Sequence, residues 1–147
     1  MHPGVNGKKF PDKPAVIMAG SEKVITHGEL NELSNQGAHL FRSLGLKPGD
    51  SIAIMLENHF LFFPIIFAAW RSGLRYTTIS WRLQPSEVEY IVKDCEAKIL
   101  ITSKFLEETA KDLKPRITSK TFLKISHLFM VIDFTLRIML LFLAWLF

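Results

Sequence analysis

The sequence predicts an α/β fold with an incomplete, doubly wound and mostly parallel sheet, followed by an apolar carboxy-terminal helix. Three observations lead to this prediction. Short apolar segments alternate with amphipathic segments of about ten to fifteen residues, glycines and prolines lie between them, and the last 20 residues are far more apolar than the rest. With 147 residues the chain has the size of one ordinary domain.

The first predicted elements are a hairpin and a capped helix. Residues 15–18 and 23–25 are short β-type runs on either side of a polar turn. Thr26 and Glu29 have the spacing of a capping box, in which each side chain bonds the backbone N–H of the other residue. Apolar residues at helical spacing extend this helix to about Leu44, and Gly45 follows where a left-handed C-cap is expected.

Three more strands and three more helices are predicted downstream. The strands are expected at 51–56, 76–79 and 98–102, and the helices at 58–71, 85–95 and 103–113, the last with Ser103 as its N-cap. The predicted order is β-β-α-β-α-β-α-β-α, and right-handed crossovers between these strands give a largely parallel sheet covered on both faces. Because so few strands leave an open sheet edge and an uncovered face, marginal folding is expected.

The composition changes near the carboxyl end. We expect the alternation of strands and helices to end after Arg116, which divides the chain into an α/β region at 1–116 and an apolar tail at 117–147. Within the tail, residues 128–147 include thirteen Leu, Ile, Val or Phe residues. Twenty helical residues span about 30 Å, which is the thickness of the hydrocarbon core of a bilayer. The segment 128–147 is therefore a candidate membrane helix.

Two charges in this segment oppose its insertion. The apolar side chains favour insertion by roughly 4 to 8 kcal/mol, whereas Asp133 and Arg137 together oppose it by about 5 to 7 kcal/mol. A membrane anchor and an exposed, aggregation-prone tail therefore remain alternatives. If the segment inserts, its amino-terminal side is expected in the cytoplasm because of five nearby cations. These cations are Lys111, Lys114, Arg116, Lys120 and Lys124.

Charge, cysteine usage and the start of the sequence limit the class of protein. The net charge is +4, but its lysines and arginines are scattered, so no nucleic-acid partner is predicted. Cys95 is the one cysteine in the sequence, which is typical of a reducing compartment. Residues 1–10 are polar and lack the apolar core of a secretory signal. A cytoplasmic location is expected, with membrane association through the tail as the alternative.

No residue pattern predicts a catalytic, cofactor-binding or metal-binding site. The loop 45–49 has Pro48 where a phosphate cradle needs a backbone N–H, so a plain turn is expected. Asp94 and Glu96 flank Cys95 in the sequence, and on a helix their side chains would point apart, so they are not expected to form a carboxylate pair. The histidines are too far apart in sequence to form a metal-ligand pair; they lie at 2, 27, 39, 59 and 127. Three arginines near the predicted strand 76–79 could face an anion, but two of the three are interpreted as helix-end and loop charges, and none is predicted as a ligand; they are Arg71, Arg75 and Arg82.

Several motifs nevertheless occur in the order and spacing of a known family. The amino-terminal half contains them at 11–15 (PDKPA), 26–30 (THGEL), 33–35 (LSN), 45–50 (GLKPGD) and 52–58 (IAIMLEN). The continuation lies at 71–79 (RSGLRYTTI) and 83–87 (LQPSE), followed by Tyr90, Ile91 and Asp94. Over about residues 10–113 the chain resembles adenylate-forming (AMP-forming) acyl-CoA synthetases, in particular fatty-acyl-CoA synthetases.

The resemblance implies ATP-dependent conversion of a fatty acid to an acyl adenylate, followed by attack of the CoA thiol. The full-length family uses ATP, Mg²⁺ and CoA. In that family the phosphate loop, the ribose-binding Asp and the catalytic Lys all lie further along the chain than residue 147. The resemblance therefore carries no catalytic, cofactor-binding or metal-binding role to any residue of this chain.

Three interpretations follow from this resemblance. In the first, the chain is an inactive amino-terminal fragment of an ATP-dependent fatty-acid CoA ligase. In the second, it is a membrane-anchored interaction module that reuses the α/β scaffold. In the third, it pairs with a separately encoded remainder of the enzyme. A membrane and that remainder are the partners that these alternatives imply.

Overall fold

The structure is a computed structural model that describes residues 2–113 and the backbone of residues 121–125. Its helices are α1 (Pro3–Lys9), α2 (His27–Ser43), α3 (Phe62–Arg71), α4 (Pro85–Asp94) and α5 (Glu107–Leu113), with a 3₁₀ turn at Lys104–Leu106. Its strands are β1 (Pro14–Ile17), β2 (Val24–Thr26), β3 (Ser51–Met55), β4 (Arg75–Ile79), β5 (Ala97–Ser103) and β6 (Thr121–Ile125).

The hairpin and the capped helix are confirmed. Strands β1 and β2 pair antiparallel, and α2 begins directly after Thr26. The Thr26 Oγ1 accepts a hydrogen bond from the Glu29 N–H at 3.2 Å, and the Thr26 N–H donates to the Glu29 carboxylate at 2.8 Å. Gly45 has a φ of +80°, which is the left-handed conformation expected after the helix.

The other four strands form one parallel sheet in the order β4-β3-β5-β6. Strand β3 lies inside this sheet, between β4 and β5, and all five of its residues are buried. This explains why 51–56 is a continuous apolar run without the alternation of a half-exposed strand. The prediction of a mostly parallel α/β sheet is confirmed.

Helices cover both faces of the sheet. On the first face, Ile52 and Ile54 pack in a core cluster with residues of α2 and α3. On the second face, Ala53 and Met55 pack with residues of α4 and α5. Successive residues of β3 point to opposite faces, so this strand contributes to both clusters. The described part of the chain is therefore a three-layer sandwich of helices, sheet and helices.

The contact between α2 and α3 is especially close. A Cβ atom added at Gly37 would lie 2.7 Å from the Cβ of Ala68, and both residues are buried. Glycine at this position of α2 therefore allows the two helices to approach each other. Helix α3 buries Pro64, Ile65, Ala68 and Ala69 in this layer, which positions its other residues on the outer side.

Three local predictions are corrected by the structure. Helix α1 was not expected, and it forms because His2 accepts the Gly4 N–H at 3.1 Å while the helix packs on α2. Helix α3 begins at Phe62 rather than at residue 58. Ser103 does not cap the following 3₁₀ turn through its side chain. Its hydroxyl instead bonds a residue from another strand end, described below.

The sheet also continues beyond the predicted end of the alternation at Arg116. Strand β6 pairs parallel with β5, so the sheet extends into the region that composition assigned to an apolar tail. The predicted helix at 128–147 lies outside the described residues. Across 2–113 and 121–125, no helix combines the length and the apolarity needed to cross a membrane.

Candidate functional site

The carboxyl edge of the sheet is the place where the topology favours a site. Strand β3 is followed by α3 on the first face and leads to β4 on one side. Strand β5 is followed by the 3₁₀ turn and α5 on the second face and leads to β6 on the other side. The loops after β3 and β5 therefore diverge. Such a topological switch point is where open α/β sheets place their ligands.

Two polar side chains meet at this switch point. The Ser103 hydroxyl, at the end of β5, donates a hydrogen bond of 2.5 Å to the Oε2 of Glu57, which follows β3. Ser103 is buried and Glu57 is half-buried. The bond joins the two loops that diverge here, so the carboxylate is held in place by a neutral donor. No local sequence pattern indicates this pair, because its members lie 46 positions apart.

Thr102 adds a second polar group to the end of β5. The residue is 2% exposed, and among the described residues its Oγ1 finds no hydrogen-bond partner. By register it is the neighbour of Met55, whose side chain belongs to the second-face cluster. A buried hydroxyl without a partner costs about 1 to 3 kcal/mol, so this position calls for a physical explanation.

His59 fixes the loop that leads from β3 into α3. Its ring is buried, and its Nδ1 accepts the Leu61 N–H at 3.2 Å. The ring also stacks on Phe60 with centroids 4.7 Å apart, and the Lys23 Nζ lies 3.4 Å from the Phe60 centroid. These contacts shape a turn in place of the first helical turn expected at residue 58. The role of His59 that follows from them is structural.

An aromatic pair stands at the same edge. Trp81, after β4, and Phe105, in the 3₁₀ turn after β5, meet edge to face with ring centroids 5.9 Å apart. Trp81 is 36% exposed and Phe105 is 70% exposed. The Arg82 guanidinium lies 5.2 Å from the Trp81 ring centroid. The edge therefore presents an apolar surface beside its polar groups.

Arg71 is engaged within the scaffold. Its guanidinium donates to the Ser34 hydroxyl at 3.0 Å, to the Asn35 side-chain carbonyl at 2.8 Å and to the side-chain carbonyl of Asn31. These bonds join the end of α3 to α2, and partial burial lowers the pKa of the guanidinium from its ordinary value. The three candidate arginines are not brought together. Arg75 instead bonds the carbonyl of Gly49 at 3.1 Å, and Arg82 lies against Trp81.

The loop 45–49 is a structural turn at the amino edge of the sheet, opposite the switch point. The Asp50 carboxylate accepts the Lys47 N–H at 2.8 Å and forms an ion pair with Lys98 at 2.7 Å. The bond from Lys98 is the main reason why the pKa of Asp50 lies below its ordinary value. In this geometry the loop is a turn that Asp50 closes through internal bonds.

The other candidate groups lie apart from the switch point. Cys95 ends α4, and its thiol contacts the Val92 carbonyl at 3.6 Å. Within the ranges that the structure describes, no three His, Cys, Asp or Glu side chains converge in a way that could hold a metal ion.

The fold and the comparisons together define the class of protein. The sequence profile of the family described as AMP-binding enzyme matches residues 5–135. The chain therefore belongs to this family of adenylate-forming enzymes. The match passes residue 116, so family-like sequence extends into the region predicted as a tail, in agreement with the position of β6.

Individual relatives narrow the comparison. The chain is 33% identical over 98 residues to a fatty acid–acyl-carrier-protein ligase of Streptomyces coeruleorubidus. The aligned segment covers 67% of this chain and 18% of the relative. It is 31% identical over 121 residues to an oxalate–CoA ligase of Arabidopsis thaliana, and this aligned segment covers 82% of this chain and 22% of the relative. The chain thus spans about a fifth of each of these two relatives.

The fold is also that of a solved acyl-CoA synthetase. A fatty acyl CoA synthetase of Mycobacterium tuberculosis superposes with a TM-score of 0.78 over 84% of this chain and 26% of the synthetase. The sequence identity is 21%, so this likeness establishes the fold alone. It confirms that the α/β sandwich described above is the arrangement found in adenylate-forming enzymes.

Proposed function

We propose that this chain contributes the first α/β layers of an ATP-dependent fatty-acid CoA ligase. In the proposed reaction the fatty-acid carboxylate attacks the α-phosphorus of ATP and displaces pyrophosphate, which gives an acyl adenylate. The CoA thiolate then attacks the acyl carbon, and AMP leaves as the thioester forms. The observation that carries the proposal is the match of the AMP-binding enzyme family over residues 5–135.

We propose the class of acid substrate from the names of the relatives and from the sequence motifs. One of the curated relatives is named as a ligase of fatty acids and another as a ligase of oxalate. The motifs at 71–79 and 83–87 resemble fatty-acyl enzymes more closely, which favours a monocarboxylic acid with an apolar chain. This choice distinguishes the substrate from a small dicarboxylate.

We also propose that the 147 residues do not catalyse this reaction alone. Several polar groups that could have bound a phosphate or a metal serve internal bonds instead. Arg71 is bonded to α2, Asp50 to Lys98, and Glu57 to Ser103. The chain corresponds to 18% and 22% of the two curated ligases. The role proposed for it is that of a scaffold, which requires a further polypeptide segment for activity.

The test measures acid-dependent release of pyrophosphate by the purified 147-residue protein with ATP and Mg²⁺. No release above background is expected with palmitate or with oxalate. The protein is then co-expressed with the part of the Streptomyces ligase that lies beyond the matched segment, and that part alone serves as the control. Palmitate-dependent release by the pair, and not by either part, is the expected result.

Different outcomes overturn different parts of the proposal. Acid-dependent pyrophosphate release by the 147-residue protein alone would show that it is a complete catalyst. Release by the pair with oxalate but not with palmitate would remove the fatty-acid assignment. Release by the Streptomyces part alone, unchanged by the addition of this chain, would contradict the scaffold role.

A further inference from the structure

His2 holds the first turn of helix α1 through a hydrogen bond that depends on its protonation state. Its Nδ1 accepts the Gly4 N–H at 3.1 Å, and His2 is the N-cap residue directly before Pro3. A ring nitrogen accepts a hydrogen bond only while it carries no proton, so the capped helix contains a neutral imidazole. The first turn of α1 contains no Asp or Glu that could replace this acceptor.

Two glycines allow α1 to lie directly on α2. A Cβ atom added at Gly4 would lie 3.3 Å from the Oδ1 of Asn31. One added at Gly7 would lie 2.9 Å from the Asn31 Cβ and 3.0 Å from the backbone oxygen of His27. At these contacts α2 presents neutral groups to α1, namely a carboxamide and a backbone carbonyl.

Two positive charges act on the His2 ring from other parts of the molecule. One is Arg71 at the end of α3, which also bonds Asn31, and the other is the amino terminus. Partial desolvation first, and then these two charges, lower the pKa of His2 from its ordinary value of 6.5. The Trp70 ring centroid is 6.2 Å from that of His2, at an interplanar angle of 48°. This is beyond the distance of about 6 Å within which an aromatic face attracts a cation, so Trp70 does not offset the repulsion.

We propose that α1 docks on α2 in a pH-dependent manner and detaches when His2 is protonated. A proton on Nδ1 removes the acceptor of the Gly4 N–H and places a second donor opposite it. It also adds positive charge near Arg71 and at a helix N-terminus, where a cation is unfavourable. Helices shorter than about 12 residues are marginal without tertiary contacts, and α1 has 7 residues. Loss of the cap is therefore expected to release the whole helix. This inference is independent of the proposed enzymatic function.

The direction of the pH dependence follows from the neutral ring. Because the pKa of His2 is lower in the docked state than its ordinary value, docking weakens as the pH falls through 6.5. The weakening ends below the docked-state pKa, where both states bind the proton. The helix is thus docked at neutral pH and increasingly detached in a mildly acidic solution. Detachment would uncover Pro3, which is buried in the docked helix.

Hydrogen exchange of the full chain, followed by mass spectrometry, tests this proposal. Peptides of α1 and of β3 are compared at about pH 7.5 and about pH 5.5, on either side of the ordinary histidine pKa. Rates are expressed as protection factors, which remove the intrinsic pH dependence of amide exchange. We expect the protection of α1 to fall several-fold at the lower pH, while that of β3 stays constant.

Three variants separate the titration of His2 from other effects. His2→Asn keeps a side-chain oxygen at the N-cap but does not titrate, so its α1 protection should be equal at both pH values. His2→Ala has no acceptor, so its α1 protection should be low at both. His39→Gln is the matched control, since His39 is exposed on α2, and it should keep the pH dependence of the unsubstituted protein.

Several outcomes would overturn the proposal. Unchanged α1 protection between the two pH values, or full protection in His2→Ala, would show that the cap does not hold the helix. A fall that persists in His2→Asn, or that disappears in His39→Gln, would assign the titration to another group. An equal fall in β3 would show that the sheet unfolds as a whole rather than that α1 detaches.

Discussion

The closed side of the molecule and the carboxyl edge of the sheet differ in how their side chains are packed and bonded. Buried polar atoms without a hydrogen-bond partner among the described residues occur in both regions: Gln36 Oε1 and Ser72 Oγ on the closed side, and Thr102 Oγ1 at the edge. The closed side consists of the α2–α3 contact and the turn at the amino edge. There Gly37 lies against Ala68, Arg71 has three acceptors, and Asp50 bonds both Lys47 and Lys98. At the carboxyl edge, one hydrogen bond joins Ser103 to Glu57, and the aromatic pair of Trp81 and Phe105 is exposed.

Because of this difference, we expect substitutions in the two regions to have different effects. Residues of the closed side bond one another, so substitutions there are expected to act on the free energy of unfolding. Residues of the carboxyl edge lie at a topological switch point, and the aromatic pair there is exposed. Substitutions there are expected to act mainly on what the edge contacts, with small or even favourable effects on stability.

The largest effect is expected from Gly37→Leu, which attacks the closest helix contact of the closed side. A side chain at this position would meet the Cβ of Ala68 at 2.7 Å, and Ala68 is fully buried. Overpacking of this kind costs about 3 kcal/mol. Urea unfolding monitored by circular dichroism measures the change. Gly20→Leu is the matched control, since a Cβ at Gly20 has open space around it. Equal stability of the two variants would contradict a tight α2–α3 contact.

Arg71→Met tests the polar half of the same contact. The substitution keeps much of the side-chain volume but removes the donors to Asn31, Ser34 and Asn35. A decrease in the free energy of unfolding of about 2 kcal/mol is expected, because hydrogen bonds from a charged donor are lost at a partly exposed site. Arg75→Met, which loses one exposed bond to Gly49, should change stability by less than about 0.5 kcal/mol. A larger loss of unfolding free energy in Arg75→Met than in Arg71→Met would contradict the proposed importance of the bonds from Arg71 to α2.

Two adjacent residues sharpen the contrast at the carboxyl edge. Thr102→Val replaces a buried, unpartnered hydroxyl by a methyl group of similar size, so an increase in stability of about 1 kcal/mol is expected. Ser103→Ala removes the bond to Glu57 and should decrease stability by about 1 kcal/mol. Both changes are measured by urea unfolding of the full chain. A loss of stability in Thr102→Val would show that the hydroxyl is bonded in solution.

Several local elements could be predicted from the sequence. The capping box at Thr26 and Glu29 depends on residues three positions apart, and the turn at Gly45 depends on the conformation of one residue. Strand β3 could be recognised because a strand buried on both faces is apolar throughout. In each case the physical cause lies within a few residues of the element.

The site could not be predicted in this way because it depends on the order of the strands. Ser103 is the last residue of β5 and Glu57 follows β3, and they meet because β5 pairs with β3 rather than with β4. As an isolated residue before a helical segment, Ser103 has the pattern of an N-cap, which is why its predicted role was wrong. Helix α1 was missed for a related reason, since seven residues with two glycines form a helix here while packed on α2.

The smallest effect is expected from the pH dependence of Asp50 on the closed side. The hydrogen bond from Lys98, and then that from the Lys47 N–H, hold the pKa of Asp50 below its ordinary value of 3.8. A carboxylate with a lowered pKa contributes stability that is present above 3.8 and is lost as the pH falls through its folded-state pKa. Thermal unfolding midpoints of the protein and of Asp50→Asn should therefore converge on acidification and differ at neutral pH. A difference that stays constant from neutral to acidic pH would show that the ion pair with Lys98 does not stabilise the turn, and that the amino edge is less closed than its geometry indicates.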